Sequence, residues 1–108
     1  MTTFDERERG FEAKFAHEQD QQFRVTARRD KLFAEWAAKE LKLSPEDSAS
    51  LMQTVIHLSN GPGHDDRLLD HMTTLFTERP DFPLRTWLGA NLATCAIDAH
   101  AEVIKALA

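Results

Sequence analysis

Residues 84–107 read LRTWLGANLATCAIDAHAEVIKAL, and this stretch decides the fold. Leu84, Leu88, Leu92, Cys95, Ala99, Val103 and Leu107 recur at steps of three or four, the spacing of one face of an α-helix. Upstream, the chain repeats the signature between breakers. Asp81 is a candidate cap for this helix, and Arg79-Pro80 ends the one before it. That earlier helix begins near His64, with Asp65 and Asp66 at its positive end and Leu68, Leu69, Met72, Leu75 and Phe76 as its apolar face. Asn60-Gly61-Pro62-Gly63 reads as a turn. Before it, Ser44 caps a helix that carries Pro45, Glu46 and Asp47 in its first turn and Leu51, Met52, Val55, Ile56 and Leu58 on its face. No alternation of period two runs for more than a few positions, so the chain is all-α.

The first helix is the longest. Thr3 and Glu6 form a capping box, and no proline interrupts the chain before Pro45, so the helix is expected to run to about Lys42. Asp5–Arg9, Asp20–Arg24 and Glu35–Lys39 are acid-first pairs four apart. Gly10 is the weak point of this helix. At 1.5 Å per residue such a helix spans roughly 58 Å, whereas the second and third are only about 15 residues each. Half of it has nothing to pack against.

Its pattern divides accordingly. Phe4, Phe11 and Phe15 fall within about 40° of one line. His17-Glu18-Gln19-Asp20-Gln21-Gln22 then interrupts the apolar face, and Val25, Leu32, Phe33, Trp36 and Leu43 begin a second one. The expected architecture is a four-helix bundle over 21–108 with an N-terminal arm over 1–20, the arm disordered or partly helical when free. Three phenylalanines at helical spacing on a charged arm fit helix-in-groove binding to a protein partner.

Composition narrows the function. The chain has 108 residues, 13 Lys plus Arg and 18 Asp plus Glu, for a net charge of -5. Its first 31 residues are neutral, and the deficit lies beyond them. A uniformly basic surface is excluded, and no nucleic-acid partner is expected. The cluster Arg24, Arg28, Arg29 and Lys31 reads as a solvated helix face. No apolar run is long enough to span a membrane, and the polar start MTTFDERERG has no signal-peptide character. With a single cysteine, Cys95, the chain has no internal disulfide, which fits a reducing cytoplasm.

Catalytic chemistry finds little support. His17, His57, His64, His71 and His100 lack the three- or four-residue spacing of a metal pair on one helix, and they read as surface or interface residues. Gly61-Pro62-Gly63 is followed by Asp65-Asp66, the wrong charge for an anion site. Cys95 reads as a small buried hydrophobe, and Trp36 and Trp87 as core. The carboxylates show no apolar setting that would mark an acid–base pair. The chain reads as a non-enzyme with no metal and no required cofactor.

Phe4-Asp5-Glu6-Arg7-Glu8-Arg9, Phe11-Glu12-Ala13-Lys14-Phe15-Ala16-His17, Ala27-Arg28-Arg29-Asp30-Lys31-Leu32 and Trp36-Ala37-Ala38 together resemble the zeta subunit family. These are small inhibitors of the F-type ATP synthase in alphaproteobacteria. The likeness is dense over residues 1–40 and weaker over 41–108, where Pro62-Gly63-His64-Asp65-Asp66 resembles the loop that opens the family's third helix. Gly10, residues 77–93 and Trp87 depart from the family pattern.

The resemblance implies a four-helix bundle with a mobile inhibitory N-terminus. That segment would enter a catalytic alpha/beta interface of the ATP synthase head near the gamma shaft. There it would become helical and block rotation in the hydrolysis direction. Residues Phe4 to His17 would make the contact, with Phe4, Phe11 and Phe15 as anchors and Arg7, Arg9 and Lys14 facing carboxylates of the head. The bundle would stay outside and brake insertion. The protein would be cytoplasmic, held near the inner membrane through the ATP synthase without entering the bilayer. The resemblance also implies adenine-nucleotide binding on the bundle, at no assigned position. A nucleotide-sensing or adaptor bundle without strong inhibition is the alternative.

Overall fold

The computed structural model of the chain describes residues 3–58, 60–76 and 83–107, with side chains over 18–58, 60–76 and 83–106. Four helices make up its regular structure: α1 (Thr3–Glu40), α2 (Pro45–Ile56), α3 (His64–Leu75) and α4 (Leu84–Leu107). Helix α1 lies against both α4 and α2, and α3 lies against α4.

Local chemistry sets the helix ends. Ser44 accepts a hydrogen bond from the Asp47 amide at 3.1 Å, so α2 starts at the cap and proline where the sequence puts it. Helix α1 stops at Glu40, two residues short of expectation. Lys42 takes a left-handed conformation, with φ 53°, and the amides of Lys42 and Leu43 donate to the carbonyls of Lys39 and Ala38. This is a Schellman stop made with lysine in place of the usual glycine, so the sequence carries no marker for it. Helix α2 ends at Ile56, with His57 as its C-cap, before the Asn60-Gly61-Pro62-Gly63 turn. Gly63, at φ 79°, is the residue that precedes α3. The expected Arg79-Pro80 stop and Asp81 cap lie outside the described residues.

The core draws on every helix. Phe33, Ala34 and Ala37 of α1 meet Leu51 and Val55 of α2, Leu68 and Met72 of α3, the adjoining Phe76, and Leu88, Leu92 and Cys95 of α4. Ala34 and Ala37 are small enough to let the backbones approach closely. Trp36 stacks on Phe33 and Phe76, with ring centroids 5.5 and 5.7 Å apart, and Trp87 packs 5.0 Å from Trp36. These four rings tie α1 to the end of α3 and the start of α4.

Two expected core positions are exposed. Leu51 and Val55 point into the bundle, but Ile56 lies about 100° further round α2 and faces solvent. Leu75 borders an open groove between α2 and α3 that also touches Leu43, Leu51 and His71. The remaining described stripe residues pack as read: Leu88, Leu92, Cys95 and Ala99 are buried, and Leu84 and Val103 are half-buried.

Candidate functional site

Along α1, Glu18, Gln19 and Asp20 are exposed, as are Gln22, Phe23 and Arg24, whereas Asp30, Phe33 and Ala34 are buried. The helix therefore leaves the bundle over about two turns. Asp20 and Arg24 pair at 3.1 Å across one of those turns, as their spacing implies. The α1 backbone carries Phe4, Arg7, Arg9, Phe11, Lys14, Phe15 and His17, but the side chains of these expected contact residues lie outside the described residues.

Where α1 meets the bundle, three consecutive residues grip two other helices. Arg28 pairs with Glu102 of α4 at 2.5 Å. Arg29 reaches Asp65 in the first turn of α3 at 2.7 Å and Asp30 beside it at 2.8 Å. Asp30 also meets Nε2 of His64, the first residue of α3, at 2.5 Å. Side chains 100° apart on one helix thus hold α4 on one side and α3 on another.

The electrostatics match the geometry. The Arg28 hydrogen bond holds Glu102 below its ordinary carboxylate value, and the hydrogen bond to Glu102 raises Arg28. Arg29 likewise holds Asp65 low, against a smaller opposing push from burial. Burial works to lower Arg29, but its bonds to Asp65 and Asp30 outweigh that and leave it raised. Across the molecule, Arg85 bridges Asp70 and Asp66, fastening the start of α4 to α3.

These contacts correct three sequence expectations. His64 is buried, not a surface residue, because Asp30 accepts it inside the bundle. Asp30 is buried rather than part of a solvated stretch, held between Arg29 and His64 at the α1–α3 contact. Arg29 belongs to the structure rather than to a solvated face, with only 13% of its side chain exposed. Asp30 falls on the same arc of α1 as Ala27, Ala34 and Ala37, and that placement is the sequence signal for its burial.

Chemically, the network is a brace. The Asp30–His64 pair is joined to Asp65 through Arg29, so its charges hold helices together. Burial, followed by Asp98, pushes the Cys95 thiol up, away from the thiolate that reactivity needs. Among the described residues no group of three or more His, Cys, Asp or Glu side chains is disposed to hold a metal ion. No helix among them is long and apolar enough to cross a membrane.

Two depressions flank Phe23. One, of about 470 Å³, is open and polar, lined by Gln19, Gln22, Thr26, Arg29, Asn60 and Asp65 among others. The second, of about 200 Å³, is more enclosed and more apolar, between Ala27 and Lys31 of α1 and Val55 and Ile56 of α2.

A family model described as ATPase inhibitor subunit zeta matches residues 1–102. The chain belongs to that family. The match takes in the arm, all of α1, α2 and α3, and most of α4. Searches of curated proteins and of solved structures each found no match. As a zeta-family chain, it is described by its family as an inhibitor subunit of an ATPase. The family match extends through residues 77–93 and Trp87, where the sequence resemblance is thin.

Proposed function

We propose that the protein inhibits ATP hydrolysis by the F-type ATP synthase through its N-terminal arm. Residues 4–17 insert into a catalytic alpha/beta interface of the head, near the gamma subunit, and block rotation in the hydrolysis direction. Phe4, Phe11 and Phe15 are the apolar anchors, Arg7, Arg9 and Lys14 meet carboxylates of the head, and His17 closes the contact. The bundle remains outside as the carrier and stop. In this reading the protein works without a cofactor, catalyses nothing itself, and sits in the cytoplasm against the inner membrane only through its partner.

The observation that carries this reading is the departure of α1 from the bundle. A family match beginning at residue 1 falls on a helix whose described surface is already exposed at Glu18, Gln19 and Asp20. Apolar residues on such a segment are available for another surface. Two ion pairs and the Asp30–His64 contact at residues 28–30 hold the arm's base in a fixed direction, which lowers the ordering cost of insertion.

Hydrolysis by the purified cognate head, titrated with the full chain and with Phe11→Ala and Phe15→Ala, tests it. Each variant is expected to raise the half-inhibitory concentration at least tenfold while melting like the parent. Equal inhibition by parent and variants refutes the arm as inhibitor.

The alternative, a nucleotide-sensing bundle, has the polar depression beside Phe23 in its favour. Its volume of about 470 Å³ is in the range of small-molecule sites. Calorimetric titration with ADP tests this alternative, and heat lost on Thr26→Leu or Asn60→Leu would locate the site.

A further inference from the structure

Phe23 is 58% exposed and Ile56 48% exposed, and the two stand on the same small groove between α1 and α2. Ala27 and the buried Val55 line the groove, and Lys31 joins them from α1. Large apolar side chains that flank a preformed cavity are suited to be binding anchors.

The charges around it are uneven. Arg24, Arg28 and Arg29 each have an acidic partner within the chain. Among the described residues Lys31 has none. Asn60, Asp30 and His64 also line the groove, but Asp30 is engaged by His64 and Arg29, so Lys31 is the uncommitted charge at its edge. Phe23 also lies eight residues beyond Phe15 on the same unbroken helix, about 12 Å along its axis.

We infer that the Phe23–Ile56 groove is a second docking site on the ATP synthase head, separate from the arm. It takes a segment that offers one large apolar side chain beside a carboxylate. The apolar group enters between Phe23 and Ile56, and the carboxylate meets Lys31. The identity of the partner rests on the inhibitory reading above. The chemistry of the occupant rests on the groove itself. Because one helix carries both contact sets, arm insertion brings the groove to the surface of the head, and groove contact limits how far the arm travels.

The test measures binding of the full-length chain to the immobilised head by biolayer interferometry, with hydrolysis assayed in parallel. Phe23→Ala and Ile56→Ala are each expected to weaken binding about tenfold and to melt like the parent. Lys31→Glu is expected to slow association and flatten its salt dependence. Binding within twofold of the parent in both apolar variants overturns the inference, as does no binding by the parent. Sedimentation as a dimer that Phe23→Ala dissociates also overturns it, since the occupant is then a second copy. Unaltered binding and inhibition by Phe11→Ala, with weakened groove variants, sinks the arm reading and leaves the groove standing.

Discussion

Replacing Asp30 with Ala removes a carboxylate that meets His64 Nε2 at 2.5 Å and Arg29 at 2.8 Å inside the α1–α3 contact. Breaking one side of a buried charged pair costs about 3–5 kcal/mol when the remaining charge is stranded. Here Arg29 keeps Asp65, so the loss falls toward the roughly 1–3 kcal/mol of a buried polar group deprived of a partner. Ala returns about 0.5 kcal/mol as a better helix former than Asp. The net expectation is about 0.5–2.5 kcal/mol. In a domain of this size each kcal/mol moves Tm by about 4–8 °C, so Tm should fall by roughly 2–20 °C. Urea and thermal unfolding, followed by circular dichroism at 222 nm, give both figures. A double-mutant cycle with His64→Ala separates the pair from its surroundings, and the double variant should lose less than the sum of the singles. A loss below about 0.5 kcal/mol, or an additive cycle, would show that the buried pair does not brace the bundle.

Two further perturbations probe the base of the arm and its turn. Gly63→Ala forces a Cβ onto φ 79° and sets it 3.1 Å from the Arg67 guanidinium, which donates to the Pro62 carbonyl, so urea unfolding should show a loss of at least the backbone term of about 1–2 kcal/mol. Asp65 is held below its ordinary value near 3.8, so the unfolded chain binds more protons in that window. Its contribution is complete above about pH 4 and disappears as pH falls through the lower folded value. Arg29→Gln should raise the Asp65 midpoint seen by NMR and shrink the loss of stability below pH 4. An unmoved midpoint would mean that Arg29 does not hold Asp65.

Much of the architecture is legible because each helix announces itself locally. Ser44-Pro45 gives both the cap and the first turn of α2, and the Gly61-Pro62-Gly63 turn fixes the gap before α3. The Leu88, Leu92, Cys95, Ala99 stripe lies buried as its period implies, while Ile97 and Ile104 of the same helix stay exposed. Lys42 is different, since a stop made by a non-glycine residue in the left-handed region has no compositional sign. The brace was harder still. Asp30 and His64 are 34 positions apart, and each looks polar among polar neighbours. Only the helical angle of Asp30 relative to Ala34 and Ala37 hints that it points inward. Ile56 shows the reverse error: an apolar residue next to a core position is read as core, although one step along a helix is 100° of rotation. The groove that it shares with Phe23 depends on two helices meeting, which no single segment encodes.

The four-ring cluster of Phe33, Trp36, Phe76 and Trp87 has a practical consequence. The chain contains two tryptophans and no tyrosine, and both indoles lie in that cluster. Ultraviolet-excited emission therefore reports on a single locality, where α1, α3 and α4 converge. Loss of the fold should redden the spectrum as water reaches both rings. Capture of the N-terminus by a partner, some five helical turns away, should leave it dark to this probe. One cuvette can thereby separate a variant that has come apart from one that has only lost its grip.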